Sequence, residues 1–175
     1  WCFPWSITAI AGTHVCLRAV VAKDIYAAID EHKVTHMCGA PIVMQMIAGA
    51  AEDEKCDLPH TVNMFTAAAP PPAAVLADMA RQGFNVTHVY GLTEVYGPCV
   101  VSAWKDEWNE LPLDEQAKLK ARQGVTYQVQ EAMMVADPET LEPVPMDGQT
   151  MGEVFMRGNV TMKGYLKNPK ATEEA

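Results

Sequence analysis

The sequence predicts an α/β protein: a flavodoxin-like parallel sheet with crossover helices on both faces, followed by the start of a small β-barrel-like subdomain. Three observations carry this. Up to about residue 100, short β-rich runs alternate with helix-periodic stretches, the pattern of parallel strands joined by helices. After Trp104 the chain turns polar and charged. From about Val125 it breaks into short alternating runs separated by turn signals.

Each element follows from local pattern. The β-rich runs are Thr13–Leu17, Val34–Met37, Val62–Thr66 and Val86–Tyr90. Ala22–His32 places Ile25, Ala28 and Ile29 on one helical face. Pro41–Ala50 opens with a proline, tolerated in a first turn, and carries Ile42, Met46 and Ile47. Pro72–Gln82 has Val75, Leu76 and Met79, with Gly83 as its stop. Asp106–Arg122 predicts an exposed helical segment opening at Leu113 and ending near Gly124. Asp137-Pro138-Glu139-Thr140 and Asp147-Gly148 are turn signals. Val154 and Met156, then Val160 and Met162, alternate about Arg157-Gly158-Asn159 and predict a hairpin. The boundary falls near residue 123, giving an α/β subdomain over 1–122 and a β-rich subdomain over 123–175.

The bulk numbers narrow the function. The 175 residues suit a single domain, and 49% apolar content suffices for a core. A net charge of −9 argues against a nucleic-acid surface, which needs clustered Lys and Arg. No run of ~18 uncharged apolar residues exists, so no membrane span is expected. Five cysteines, none in a CxxC pair, read as small hydrophobes in a reducing, cytoplasmic setting. The five histidines lack metal-ligand spacing. The chain opens Trp1-Cys2-Phe3-Pro4-Trp5 and closes in what looks like the start of a helix, so it reads as a piece of a longer protein.

Ligands of open parallel sheets gather at the strands' carboxyl ends. Two segments there are chemically unusual. In Thr66-Ala67-Ala68-Ala69-Pro70-Pro71-Pro72, small residues would let a flat ligand lie on the backbone, or they serve only as a stiff strand-to-helix connector. In Tyr90-Gly91-Leu92-Thr93-Glu94, Tyr90 offers a stacking face and Gly91 a tight turn near a ligand. Thr93 offers a hydroxyl to a phosphoryl oxygen and Glu94 hard oxygens to Mg²⁺. The alternative is a helix start, with Thr93 as cap and Glu94 at the positive end. The segment Gly152–Tyr165, taken alone, reads as a structural hairpin.

These three segments resemble, in order and spacing, the adenylate-forming (AMP-binding) enzymes. YGLTE at Tyr90–Glu94 resembles the family's Y-G-x-T-E. GEVFMRGNVTMKGYLKNPKAT at Gly152–Thr172 resembles G-E-[LV]-x-x-R-G-x-x-[VM]-x-x-G-Y-x-x-x-P-x-x-T. TAAAPPP resembles G-G-A-P-L, with Ala67 and Ala68 where glycines are common. The segment Trp108–Val125 is similar to the fatty-acyl and short-chain acyl-CoA ligase branch, near the methylmercaptopropionate-CoA ligases.

The resemblance implies a fatty-acid-activating ligase that uses ATP, Mg²⁺ and coenzyme A. A carboxylic acid and ATP give an acyl-adenylate and pyrophosphate, and the coenzyme A thiol then forms the thioester. It implies that Tyr90 stacks on adenine and that Ala68, Ala69 and Pro70 line it through their backbone. Thr93 would hold the α-phosphate and Glu94 would bind Mg²⁺, as the catalytic pair. Cys38, Gly39 and Ala40, with Tyr96 and Gly97, would line the acyl pocket, and Tyr96 beside the small Gly39 and Ala40 points to a short or medium acyl group. The family's phosphate loop would precede Trp1, and its ribose-binding aspartate and mobile domain would follow Ala175, so this piece alone is expected to be inactive. Two rivals stand: a peptide-synthetase-type adenylation domain, disfavoured by the insert after Trp108, and a non-catalytic α/β module. A cut sheet also invites self-association.

Overall fold

The structure, a computed structural model, describes residues 3–175. In chain order it contains α1 (Phe3–Ala9), α2 (Ala22–His32), β1 (His36–Cys38), α3 (Pro41–Ala48), β2 (Val62–Thr66), α4 (Ala73–Arg81) and β3 (Phe84–Leu92). A 3-10 turn over Thr93–Val95 leads to β4 (Gly97–Val101), and another over Asp106–Glu110 leads to α5 (Leu113–Lys120). The chain finishes with β5 (Val125–Thr126), β6 (Ala132–Ala136), β7 (Glu153–Arg157) and α6 (Pro169–Glu174).

The main sheet has the order β1-β2-β3-β4-β5. The first three strands are parallel, as expected from their crossover helices. The last two, which the sequence reading did not place in this sheet, are antiparallel. For β4 the reason is the length of the connection. Parallel neighbours need a crossover of about a dozen residues or more, and Thr93–Tyr96 is far too short, so β3 turns back on itself as a hairpin. β5 lies just past residue 123 and is still a strand of this sheet. The remaining strands, β6 and β7, form a separate antiparallel pair, and no closed barrel forms among the described residues.

The core sits on one face of the main sheet. Along β2, Val62, Met64 and Thr66 are buried and alternate with half-exposed Asn63 and Phe65. Val62 and Met64 join Phe84 and Val86 of β3 beneath Ile25, Tyr26 and Ile29 of α2, Met44 and Ile47 of α3, and Leu76 and Met79 of α4. Each large apolar side chain removed from water there contributes roughly 1.5–3 kcal/mol. On the opposite face Phe3 of α1 stacks on Phe65 with ring centroids 5.6 Å apart.

Three further expectations change. Thr13–Leu17 forms no strand; the segment is exposed and no described strand pairs with it. Of the hairpin about Arg157-Gly158, only the first run becomes a strand, and it pairs with β6 in the register Met134↔Phe155. The second run is turns, tied elsewhere by the Met162 N–H donating to the Glu94 carbonyl at 2.7 Å. The segment expected to lie exposed is half right: α5 buries Ala117 in the main core and packs on α4 and β3. It closes the side of β3 left open before β4 begins, with the Ser102 hydroxyl donating to the Leu119 carbonyl and Lys120 Nζ to Asn85 Oδ1 at 2.8 Å.

Among the described cysteines only Cys99 is buried; Cys16, Cys38 and Cys56 are exposed, so they are not the core hydrophobes that their neighbours suggest. Cys2 lies outside the described residues. Among the described residues no helix is long and apolar enough to cross a membrane.

Candidate functional site

Register brings the predicted segments to one edge. β1 ends with Cys38 opposite Phe65, and the Gly39 N–H donates to the Phe65 carbonyl at 3.0 Å. β2 ends with Thr66 opposite His88. The chain leaves the sheet after Thr66, whereas β3 runs on to Leu92. β1, β2 and β3 run parallel, so their carboxyl ends, followed in the chain by Gly39-Ala40, Ala68-Ala69-Pro70 and Thr93-Glu94, point to the same side of the sheet, the side at which open α/β sheets receive ligands.

The bend after β2 is exposed at Ala68, Ala69 and Pro70, while Pro71 is buried and anchors it. Ala68 has φ +78°, a left-handed conformation that costs a residue with a Cβ about 1–2 kcal/mol. That explains why the similar family segment carries glycine there. Just before the bend, the buried Thr66 hydroxyl has no hydrogen-bond partner.

At the end of β3, Tyr90 is half-buried and packs against the cluster of Val95, Cys99 and Val100. Its carbonyl accepts from the Cys99 thiol at 3.5 Å. Gly91 proves necessary for a reason other than a ligand. A Cβ at Gly91 would collide with the carbonyl of Gly97, because β3 and β4 approach closely across an irregularity between Tyr90 and Gly91. Gly39 is likewise a packing glycine, with Met64 Cε and Val43 each 3.1 Å from where its Cβ would stand.

The capping alternative for Thr93 fails: Leu92 holds the cap position and no side chain caps the turn. The Thr93 side chain is exposed instead. Glu94 makes no salt bridge among the described residues. The Tyr165 phenol donates to its Oε1 at 2.6 Å. That hydrogen bond, helped by one from the residue's own backbone, holds the Glu94 carboxyl below the usual range against a small opposing effect of burial. The same bond, with burial and the carboxylate's charge behind it, pushes the Tyr165 phenol up. Tyr165 lines an open cleft with Lys163, Gly164 and Thr172. Sequence reasoning left Tyr165 without a role; the residues are 71 apart, and nothing local to either announces the contact.

The acyl segments lie at different strands: Cys38 ends β1 and Gly39-Ala40 follow it, whereas Tyr96-Gly97 open β4, three strands along the sheet order and so about 14 Å away at normal spacing. Tyr96 is exposed in a left-handed conformation, φ +71°, and Gly97 pairs with Leu92.

The donor set suits one kind of metal. No group of three or more His, Cys, Asp or Glu that could cage an ion exists among the described residues. Mg²⁺ instead takes one or two carboxylates and fills its shell with phosphate oxygens and water. A single carboxylate beside an exposed hydroxyl fits that sharing.

With this geometry in view, the chain belongs to the AMP-binding enzyme family, whose model matches residues 1–166. It is 54% identical over 175 residues to the peroxisomal acetate/butyrate–CoA ligase AAE7 of Arabidopsis thaliana, covering 99% of this chain and 31% of that protein. It is 53% identical to the acetate–CoA ligase CCL3 of Humulus lupulus, covering all of this chain and again 31% of the relative. The chain therefore spans about a third of the length of these relatives. Among solved structures, o-succinylbenzoate coenzyme A synthetase from Bacillus subtilis, in complex with its acyl-adenylate intermediate, superposes with a TM-score of 0.75 at 19% identity, over 97% of this chain and 32% of that one. The cytoplasmic expectation is overturned: AAE7 and two further Arabidopsis relatives, the probable acyl-activating enzymes 5 and 12, are peroxisomal by name. A cysteine count reports a reducing milieu, not an organelle.

Proposed function

We propose that the protein of which this chain is part is an AMP-forming acid–CoA ligase acting on a short-chain carboxylic acid of acetate to butyrate size. What supports the reading is that β1, β2 and β3 run parallel, so that the 68–70 bend and the Thr93-Glu94 pair follow strands ending on the same side of the sheet, and that no salt bridge among the described residues occupies Glu94. The acyl class rests on the two ligases named above.

In this reading Tyr90 and the backbone of Ala68, Ala69 and Pro70 hold the adenine between them. The Thr93 hydroxyl donates to an α-phosphate oxygen. Glu94 holds Mg²⁺, which when bound offsets charge on the phosphates. The substrate carboxylate attacks the α-phosphorus, the bond to pyrophosphate breaks, and an acyl-adenylate remains. The coenzyme A thiol, having lost its proton, then attacks the acyl carbon and expels AMP. The residues here orient and neutralise charge rather than form bonds, the role that preorganised donors play in such transfers. Cys38, Gly39 and Ala40 wall the acyl group, with Tyr96 and Gly97 at the far side of the adenylate. Residues 1–122 carry these nucleotide and acyl segments, and 123–175 begin the β-rich part.

Pyrophosphate release by the longer protein, with a panel of short- and medium-chain acids, tests the reading. Acetate and butyrate should support turnover, and Glu94→Gln should lower kcat by roughly 10²-fold or more. Turnover only with amino acids would contradict it. The 175-residue chain alone should release none. We infer also that the chain alone self-associates, since β1 pairs only with β2 among the described strands and Ile42 and Leu166 stand exposed. A strictly monomeric sedimentation profile would refute that.

A further inference from the structure

We propose that Tyr165 is the positioning residue for Glu94: its phenol holds one carboxylate oxygen so that the other is aimed at a Mg²⁺ ion shared with the nucleotide's phosphates. This rests on the nucleotide-site reading above.

Little in its own neighbourhood restrains Glu94. It sits in a one-turn 3-10 helix between exposed Thr93 and exposed Tyr96, with no salt bridge among the described residues. An unrestrained glutamate there would sample several rotamers, and ordering it on ligand binding would cost affinity. The structure supplies the restraint from far along the chain, by two contacts. The Met162 N–H donates to the Glu94 carbonyl at 2.7 Å and fixes its backbone. The Tyr165 O–H donates to Oε1 at 2.6 Å and fixes its side chain.

Tyr165 is itself held. Its N–H donates to Thr172 Oγ1 at 2.9 Å, and the Thr172 hydroxyl donates onward to the Asn168 carbonyl at 2.9 Å. Gly164, at φ +143°, permits the close approach, because a Cβ there would strike the Thr172 side chain. Backbone, glycine, threonine and tyrosine thus converge on the direction of one carboxylate. The choice of phenol is chemically pointed. A Lys or Arg would orient the acid equally well but would cancel the charge a metal needs. A neutral donor orients it and leaves the full negative charge, the usual office of partners that sit behind a metal ligand.

The test measures ATP affinity of the chain by calorimetry across a Mg²⁺ titration, with Mn²⁺ binding in the presence of ATP followed by electron paramagnetic resonance. In the native chain Mg²⁺ should tighten ATP binding, and Glu94→Gln should abolish that tightening. Tyr165→Phe should raise the Mg²⁺ concentration for half-maximal tightening about tenfold, and Mn²⁺ affinity should fall in step. A Tyr165→Phe protein that folds by circular dichroism yet keeps the native Mg²⁺ dependence overturns the proposal while leaving the nucleotide site standing. Absence of any ATP binding by the native chain overturns both. If Tyr165→Phe does not fold, Thr172→Val decides by the same readout: it should shift the Mg²⁺ dependence in the same direction by a smaller factor, and no shift overturns the proposal.

Discussion

Ala68 and Gly91 make opposite demands within one edge. Ala68 carries a Cβ in a left-handed conformation, so Ala68→Gly should relieve strain and raise stability by up to about 1 kcal/mol, once the added freedom of the unfolded glycine is subtracted. Gly91 has no room for a Cβ against the Gly97 carbonyl, and Gly91→Ala should cost about 3 kcal/mol or more by forcing β3 and β4 apart. Urea denaturation of the two variants checks both signs. Asp147 offers a pH test. Its carboxylate accepts from the Gln149 and Thr150 N–H groups at 2.8 Å each and from the Thr150 hydroxyl, which pulls it down to about 2 from an ordinary 3.8. A depressed carboxyl stabilises its turn above the ordinary value and loses that stabilisation as pH falls toward about 2. Carboxyl-carbon NMR should therefore show Asp147 titrating near 2, and Thr150→Ala should move it upward. At this scale the sequence was legible for residue type and not for reason. YGLTE announced chemistry, but the need for Gly91 comes from Gly97, and the partner of Glu94 lies outside any local window.

Among the elements, the tie between α2, α3 and α4 is polar as well as apolar. Tyr26 packs edge-on against Phe84 and donates its phenol proton to Gln82 Oε1 at 2.7 Å, while Gln82 Nε2 donates to the Ala48 carbonyl at 3.2 Å. Three helices are joined through two side chains. Tyr26→Phe keeps the packing and strands the Gln82 oxygen, so it should lower unfolding free energy by about 1–2 kcal/mol in chemical denaturation. Local period sufficed for elements whose neighbours enforce it. Val62–Thr66 and Ala22–His32 emerge with the bounds their patterns predict, because each buries a continuous stripe. It failed where pairing decides. Thr13–Leu17 has strand composition and no described strand beside it, and Gly97–Val101, to which the sequence reading gave no strand, becomes one because β3 folds back to meet it. The α5 segment was legible as a helix but not as a core element, since one small residue, Ala117, does the burying. Beside it Trp104 and Trp108 pack edge to face at 5.3 Å, with Lys105, Lys120 and Arg122 over their rings, which fastens a polar segment that has few apolar residues of its own.

At the scale of the molecule, two unequal sheets meet through a small seam. The buried Cys99 thiol of β4 lies 3.4 Å from Met156 Sδ of β7, and Met133 and Met156 pack on Val95 and Val100. The large core belongs to β2, β3 and their helices, so amide exchange should be slowest along Val62–Thr66 and Phe84–Tyr90 and faster along β6 and β7, whose residues are mostly exposed or half-exposed. Beyond that seam the Met162–Tyr165 loop, which follows β7, is bonded to Glu94, so the edge proposed to hold the nucleotide is braced by the chain that follows the smaller sheet. The most direct test of the central claim is amide NMR of this chain titrated with AMP. The predicted result is a contiguous set of shifted resonances at 67–69 and 90–94, weakened by Tyr90→Leu, which preserves packing and removes the stacking face. Shifts confined to other regions, or none at millimolar AMP, would contradict a nucleotide site at the carboxyl edge of β1–β3.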